Sequence, residues 1–105
     1  MDILTQLEQV IAARRSAAPE ESYVAKLNQR GLPVIARKVG EEGLETAIAA
    51  LTGSEEELVG EAADLLFHLL VLLNAKGLSL DDVRAELQRR EGLSGLEEKA
   101  SRPKE

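Results

Sequence analysis

Four carboxylates stand at a spacing that two neighbouring helices can turn into one site. Glu42 and Glu45 are three residues apart, and so are Glu61 and Asp64. Residues three apart on a helix share a face, with Cβ atoms about 5–6 Å apart. The turn signal Thr52-Gly53 between the pairs is short enough to make their helices antiparallel neighbours. Glu45 lies eight residues before Gly53 and Glu61 eight after it, so the two pairs meet at similar height. Like charges so close raise one another's pKa values unless something positive sits among them. Mg²⁺ suits the position, because it prefers oxygen ligands and keeps waters and substrate phosphates in its remaining places. Held by carboxylates beside a triphosphate, it can neutralise developing charge and activate a water. The expected metal ligands are Glu42, Glu45, Glu61 and Asp64.

The plainer reading is a solvated acidic face, and spacing alone does not decide between the two. Glu55, Glu56 and Glu57 fit that plainer reading, as acids serving a helix N-terminus. Glu61 and Asp64 fit it less well. They abut the most apolar stretch of the chain, Leu65 to Leu73, where an unpaired charge is costly. Glu41 points about 100° from Glu42 on an ideal helix. Three roles stay open for it: a second metal, orientation of the attacking water, or a pair with Lys38. His68 follows Asp64 by four residues and shares its face, as a hydrogen-bonding support for a ligand, as a contact to substrate, or as a satisfied core histidine. Lys26, Arg30, Arg37 and Lys38 precede the first acidic motif and are the nearest cations for phosphates. Tyr23 and Phe67 read first as packing residues, and Asn74, late on the acidic helix, as a distant candidate for a nucleoside contact.

These residues need helices to position them. Asp2 is placed to cap a helix over about 3–16, and Ser22 to cap a short one ending at Gly31. Pro33 suits the first turn of a third, from about 33 to 51. Ser54 and Glu57 have the capping-box pattern for a helix over 55–76, closed by Lys76-Gly77. Ser79 opens a last helix to about Arg90, and 93–105 reads as a tail. Leu65 to Leu73 is apolar nearly all round its helix, the signature of a helix buried on every side. The expectation is an all-α, antiparallel bundle of four to five helices, completed by oligomerisation. At 105 residues it reads as one domain over 1–105, too small to cover that helix alone.

Composition narrows the function further. The formal net charge is −6, which argues against nucleic acid as a partner and makes a divalent cation necessary for holding a polyphosphate. There is no cysteine, so disulfides, zinc–thiolate sites and cysteine nucleophiles are excluded. The N-terminus lacks a signal-peptide layout, and the apolar run around His68 is too short to span a bilayer. A cytoplasmic protein is expected.

The pattern Glu41-Glu42-x-x-Glu45, fifteen residues, then Glu61-x-x-Asp64 resembles the signature of the MazG-like all-α nucleoside-triphosphate pyrophosphatases. Ser22 to Leu27, Lys38 to Glu45, Glu61 to Leu73 and Arg89 to Lys99 narrow the resemblance to the phosphoribosyl-ATP pyrophosphohydrolases of histidine biosynthesis, over nearly the whole chain. Gly43 stands where that family commonly has alanine. The resemblance implies a helical homodimer or higher oligomer. The implied reaction is hydrolysis of phosphoribosyl-ATP to phosphoribosyl-AMP and pyrophosphate, with Mg²⁺, by the stand-alone rather than the fused form. Glu41, Glu42, Glu45, Glu61 and Asp64 would then be catalytic. Two rivals remain at this stage: a MazG-like housekeeping (d)NTP pyrophosphatase, and a non-enzymatic helical dimer module.

Overall fold

Helix punctuation in the sequence sets the element boundaries. The computed structural model describes residues 2–92 and 95–102, apart from the side chain of Glu98. Among these residues there are six α-helices and no strand: α1 (Ile3–Arg14), α2 (Tyr23–Arg30), α3 (Leu32–Thr52), α4 (Glu55–Ala75), α5 (Leu80–Arg89) and α6 (Gly95–Ser101).

Ser22 Oγ accepts from the Ala25 backbone N–H at 3.2 Å and starts α2. Gly31 ends it at φ +100°, a backbone conformation that L side chains rarely adopt. Pro33 follows in the first turn of α3. Ser54 Oγ accepts from the Glu57 N–H at 3.1 Å and starts α4. Asp2 does not cap α1 with its side chain. Its carboxylate instead accepts from Arg84 on α5 at 3.4 Å.

α3 and α4 form an antiparallel hairpin that packs along its length, and α1 lies against α4 while α2 lies against α3. The core gathers where these four meet, from Ile11, Val24, Leu27, Ile35, Leu70 and Val71. Full burial of such side chains is worth roughly 1.5–3 kcal/mol each. α5 is tied to α1 by Glu8, whose carboxylate accepts from the Leu80 N–H at 2.5 Å.

Of three expectations, two need correction and one holds. The segment after Gly92 contains the short helix α6, although Leu93, Ser94 and 103–105 lie outside the described residues. α6 lacks apolar periodicity because it buries little, with Leu96 exposed. Second, as the size of the chain implied, α4 is not covered all round within one chain: Val59 and Leu66 are exposed on it. Third, α4 is by length and composition apolar enough to cross a membrane. The run-length reading missed this because the apolar character extends beyond Leu65–Leu73. Glu61 and Asp64 sit near its middle, where ionised groups are costly in lipid, and α3 packs beside it.

Candidate metal-binding active site

The acids of α3 and α4 meet across the hairpin. Carboxylate oxygens of Glu42, Glu45 and Glu61 all lie within 4.8 Å of one another. Glu42 is buried, only 7% exposed, because it points from α3 straight at α4. Glu61 is half-buried and Glu45 exposed. Asp64 is not part of this tight group, yet its charge reaches both Glu42 and Glu61.

The electrostatics are those of crowded, partly buried acids. Burial pushes the Glu42 carboxyl above the usual carboxylate range, and the Glu45 carboxylate beside it pushes further. Glu61 is raised by the same causes in the same order. Glu42 Oε2 and Glu61 Oε2 are buried without a hydrogen-bond partner. Such orphaned acceptors are rare in folded proteins. A donor set made only of carboxylate oxygens fits a hard divalent cation, and a cation among them would answer both the raised pKa values and the orphaned oxygens.

Lys38 is the cation nearest this group, its Nζ 4.0 Å from Glu42 Oε1 and 3.6 Å from Glu41 Oε2. Glu41 also pairs with Arg37 at 3.2 Å, so it faces these two cations and stands outside the tight acidic group. Lys26 and Arg30 are exposed on α2, away from those ion pairs.

His68 is buried, 6% exposed, and both ring nitrogens are engaged. Nδ1 lies 2.7 Å from the Asp64 backbone oxygen, and Nε2 lies 2.8 Å from the Tyr23 hydroxyl. A carbonyl can only accept, so a neutral ring carries its proton on Nδ1 and Tyr23 donates to Nε2. His68 is thus a satisfied buried histidine, bonded to the backbone of Asp64 rather than to its carboxylate. Its partner Tyr23 was not legible as such, since the pair is 45 residues apart. Phe67 packs against the core. Asn74 accepts from Arg15 through its backbone oxygen at 3.0 Å, a tie between α1 and α4.

The family model described as phosphoribosyl-ATP pyrophosphohydrolase matches residues 4–91. A protein of Erythrobacter litoralis named phosphoribosyl-ATP pyrophosphatase is 71% identical over 97% of this chain and 98% of its own length. Proteins of the same name from Novosphingobium aromaticivorans and Zymomonas mobilis are 64% and 56% identical, over 96% and 98% of this chain and 94% and 96% of their own lengths. An all-α hairpin with converging acids, matched from end to end by such relatives, belongs to the phosphoribosyl-ATP pyrophosphohydrolase family.

Proposed function

We propose that this protein is an enzyme that hydrolyses phosphoribosyl-ATP to phosphoribosyl-AMP and pyrophosphate in histidine biosynthesis, using Mg²⁺. The observation that carries the reading is the meeting of Glu42, Glu45 and Glu61 within 4.8 Å, two of them with buried oxygens lacking any partner, in a chain of this family.

Glu42, Glu45, Glu61 and Asp64 would hold the Mg²⁺, the first three from the tight group and Asp64 from the same turn of α4 as Glu61. When bound, Mg²⁺ neutralises charge on the triphosphate and lowers the pKa of a water. Lys38 and Arg37 stand beside the acids on α3 and suit the triphosphate oxygens that the metal does not reach. Glu41 holds these two cations in place through its ion pairs. His68 anchors the Asp64 turn through the carbonyl and leaves the carboxylate free to turn toward the site. The reaction needs no covalent intermediate: a water attacks one phosphorus of the α–β anhydride, the bridging P–O bond breaks, and phosphoribosyl-AMP and pyrophosphate part.

A homodimer completes this reading. Leu44 and Leu51 on α3 are 64% and 85% exposed, and Val59 on α4 is 69% exposed. Together with Ile48 and Leu66 they leave the hairpin with an uncovered apolar side, which a second copy would bury. The cytoplasm is the fitting compartment for an enzyme of amino-acid biosynthesis.

The test is pyrophosphate release from phosphoribosyl-ATP, with and without Mg²⁺, beside ATP and dUTP. Mg²⁺-dependent release from phosphoribosyl-ATP alone is expected. Release mainly from ATP or dUTP would move the chain to the housekeeping activity, and no release from any would remove the enzyme reading.

A further inference from the structure

We infer that the outer face of α2 recognises the adenine of the substrate together with the phosphoribosyl group that ATP lacks. Adenine stacks on Tyr23, and the second phosphate, carried on the ribose at adenine N1, meets Lys26 and Arg30. The inference rests on the proposed hydrolysis of phosphoribosyl-ATP.

The chain has one Tyr, one Phe and one His, and these three rings form one cluster. Tyr23 stacks on Phe67 with centroids 6.1 Å apart and planes at 24°. The His68 ring stands edge-on to both, with centroids 5.6 and 5.3 Å away. The 2.8 Å bond to His68 then fixes the far end of the Tyr23 ring. Yet Tyr23 remains 46% exposed. An aromatic ring locked in orientation but open to solvent is a surface on which a nucleobase can stack with little ordering cost.

Its location suits a nucleotide. Tyr23 is two hydrogen bonds from the backbone of Asp64, through His68, so a base on this ring lies beside a triphosphate held at the acids. Lys26 and Arg30 follow Tyr23 by three and seven residues and share its face of α2, about 4.5 and 10.5 Å along the axis. Both are exposed. Arg37 and Lys38 are engaged by Glu41, whereas among the described residues no ion pair involves Lys26 or Arg30. Phosphoribosyl-ATP carries anions on both sides of its adenine. One side meets the acidic site, and the two free cations beside Tyr23 suit the other.

The test has a binding arm and a selectivity arm. Because each aromatic type occurs once, the aromatic proton NMR spectrum of the intact protein resolves Tyr23 without labelling. Titration with AMP should move the Tyr23 ring resonances upfield and saturably, and inorganic tripolyphosphate should not. In steady-state assays, Lys26→Met and Arg30→Met should each lower the ratio of kcat/KM for phosphoribosyl-ATP to that for ATP about tenfold, the weight of one charge-assisted contact. Lys26→Arg should recover most of the loss. Tyr23 resonances unmoved by AMP, or selectivity unchanged in both Met variants, would overturn the inference. Failure of the wild-type protein to hydrolyse phosphoribosyl-ATP would strike the proposed function instead, since the AMP titration is read without turnover.

Discussion

Replacing Glu42 by Gln should stabilise the metal-free protein while removing its response to Mg²⁺. Glu42 is 7% exposed, and its carboxylate lies within 4.8 Å of that of Glu45. At 4.8 Å two unit charges repel by about 1 kcal/mol in bulk water and about 3.5 kcal/mol at an effective dielectric of 20. Lys38, 4.0 Å from Glu42, offsets part of that. The amide of Gln can still donate to Glu45 the hydrogen bond that a protonated Glu42 would make. A net gain of about 1–2 kcal/mol follows, or roughly 4–8 °C in Tm per kcal/mol for a domain of this size. The assay is thermal unfolding followed by circular dichroism at pH 7, at fixed protein concentration, with EDTA and then with excess Mg²⁺. Wild type should rise with Mg²⁺ by mass action, and Glu42→Gln should start higher and rise little. A variant that melts lower than wild type in EDTA, and still gains as much from Mg²⁺, would refute the reasoning at its root.

Three further outcomes follow from the same site. Glu42 and Glu61 carry pKa values raised from 4.5. A raised folded pKa means stability present below the unfolded value and lost as pH rises through the folded one. Tm in EDTA should therefore fall as pH is raised from about 4.5 toward neutrality, more steeply in wild type than in Glu42→Gln; the opposite slope would exclude this origin. Glu86, lowered chiefly by Arg89, loses its contribution only as pH falls through its own folded value, so it does not mask that window. Glu45→Gln and Asp64→Asn should each reduce Mg²⁺-dependent pyrophosphate release at least 10–100-fold, the range for weakened metal support; full turnover in either would remove that residue from the metal set. Leu51→Glu, at the most exposed large apolar side chain of the hairpin, should shift the molar mass from light scattering to that of one chain. An unchanged dimer would place the interface elsewhere.

Local physics made much of this legible in sequence. Helix starts at Ser22 and Ser54 and the break at Gly31 depend on residues within one turn. The convergence of the acids depends only on helical period and a short turn. What the sequence left dark lay in long-range partners. Asp2 has a capping residue's chemistry, but its carboxylate is drawn to Arg84, 82 residues away. Glu42 and Glu45 share a face by spacing, and only the packing of α3 against α4 buries one and exposes the other. Asp64 shares the face of Glu61 on the same ground, yet lies outside the tight group. Tyr23 gave no sign of His68, because nothing in a sequence marks which surface of a short helix a distant ring will meet. α6 escaped because a helix that buries little imposes no apolar period.

The α3–α4 hairpin packs along its length, and it also carries the chain's least stabilising choices. Its inner face holds carboxylates that repel. Its outer side holds Leu44, Leu51 and Val59 in water. At Gly43 an added Cβ would meet nothing within 4 Å, so alanine there would gain up to ~1 kcal/mol of helix propensity without a clash inside this chain. None of these features serves an isolated hairpin. The repelling acids make sense if a cation joins them, where a ligand at 100 times its Kd contributes about 2.7 kcal/mol. The exposed leucines make sense if a second copy covers them. On the proposed reading, stability withheld from the lone chain becomes available to the metal and the partner, and the state that folds best is the one proposed to act on a triphosphate.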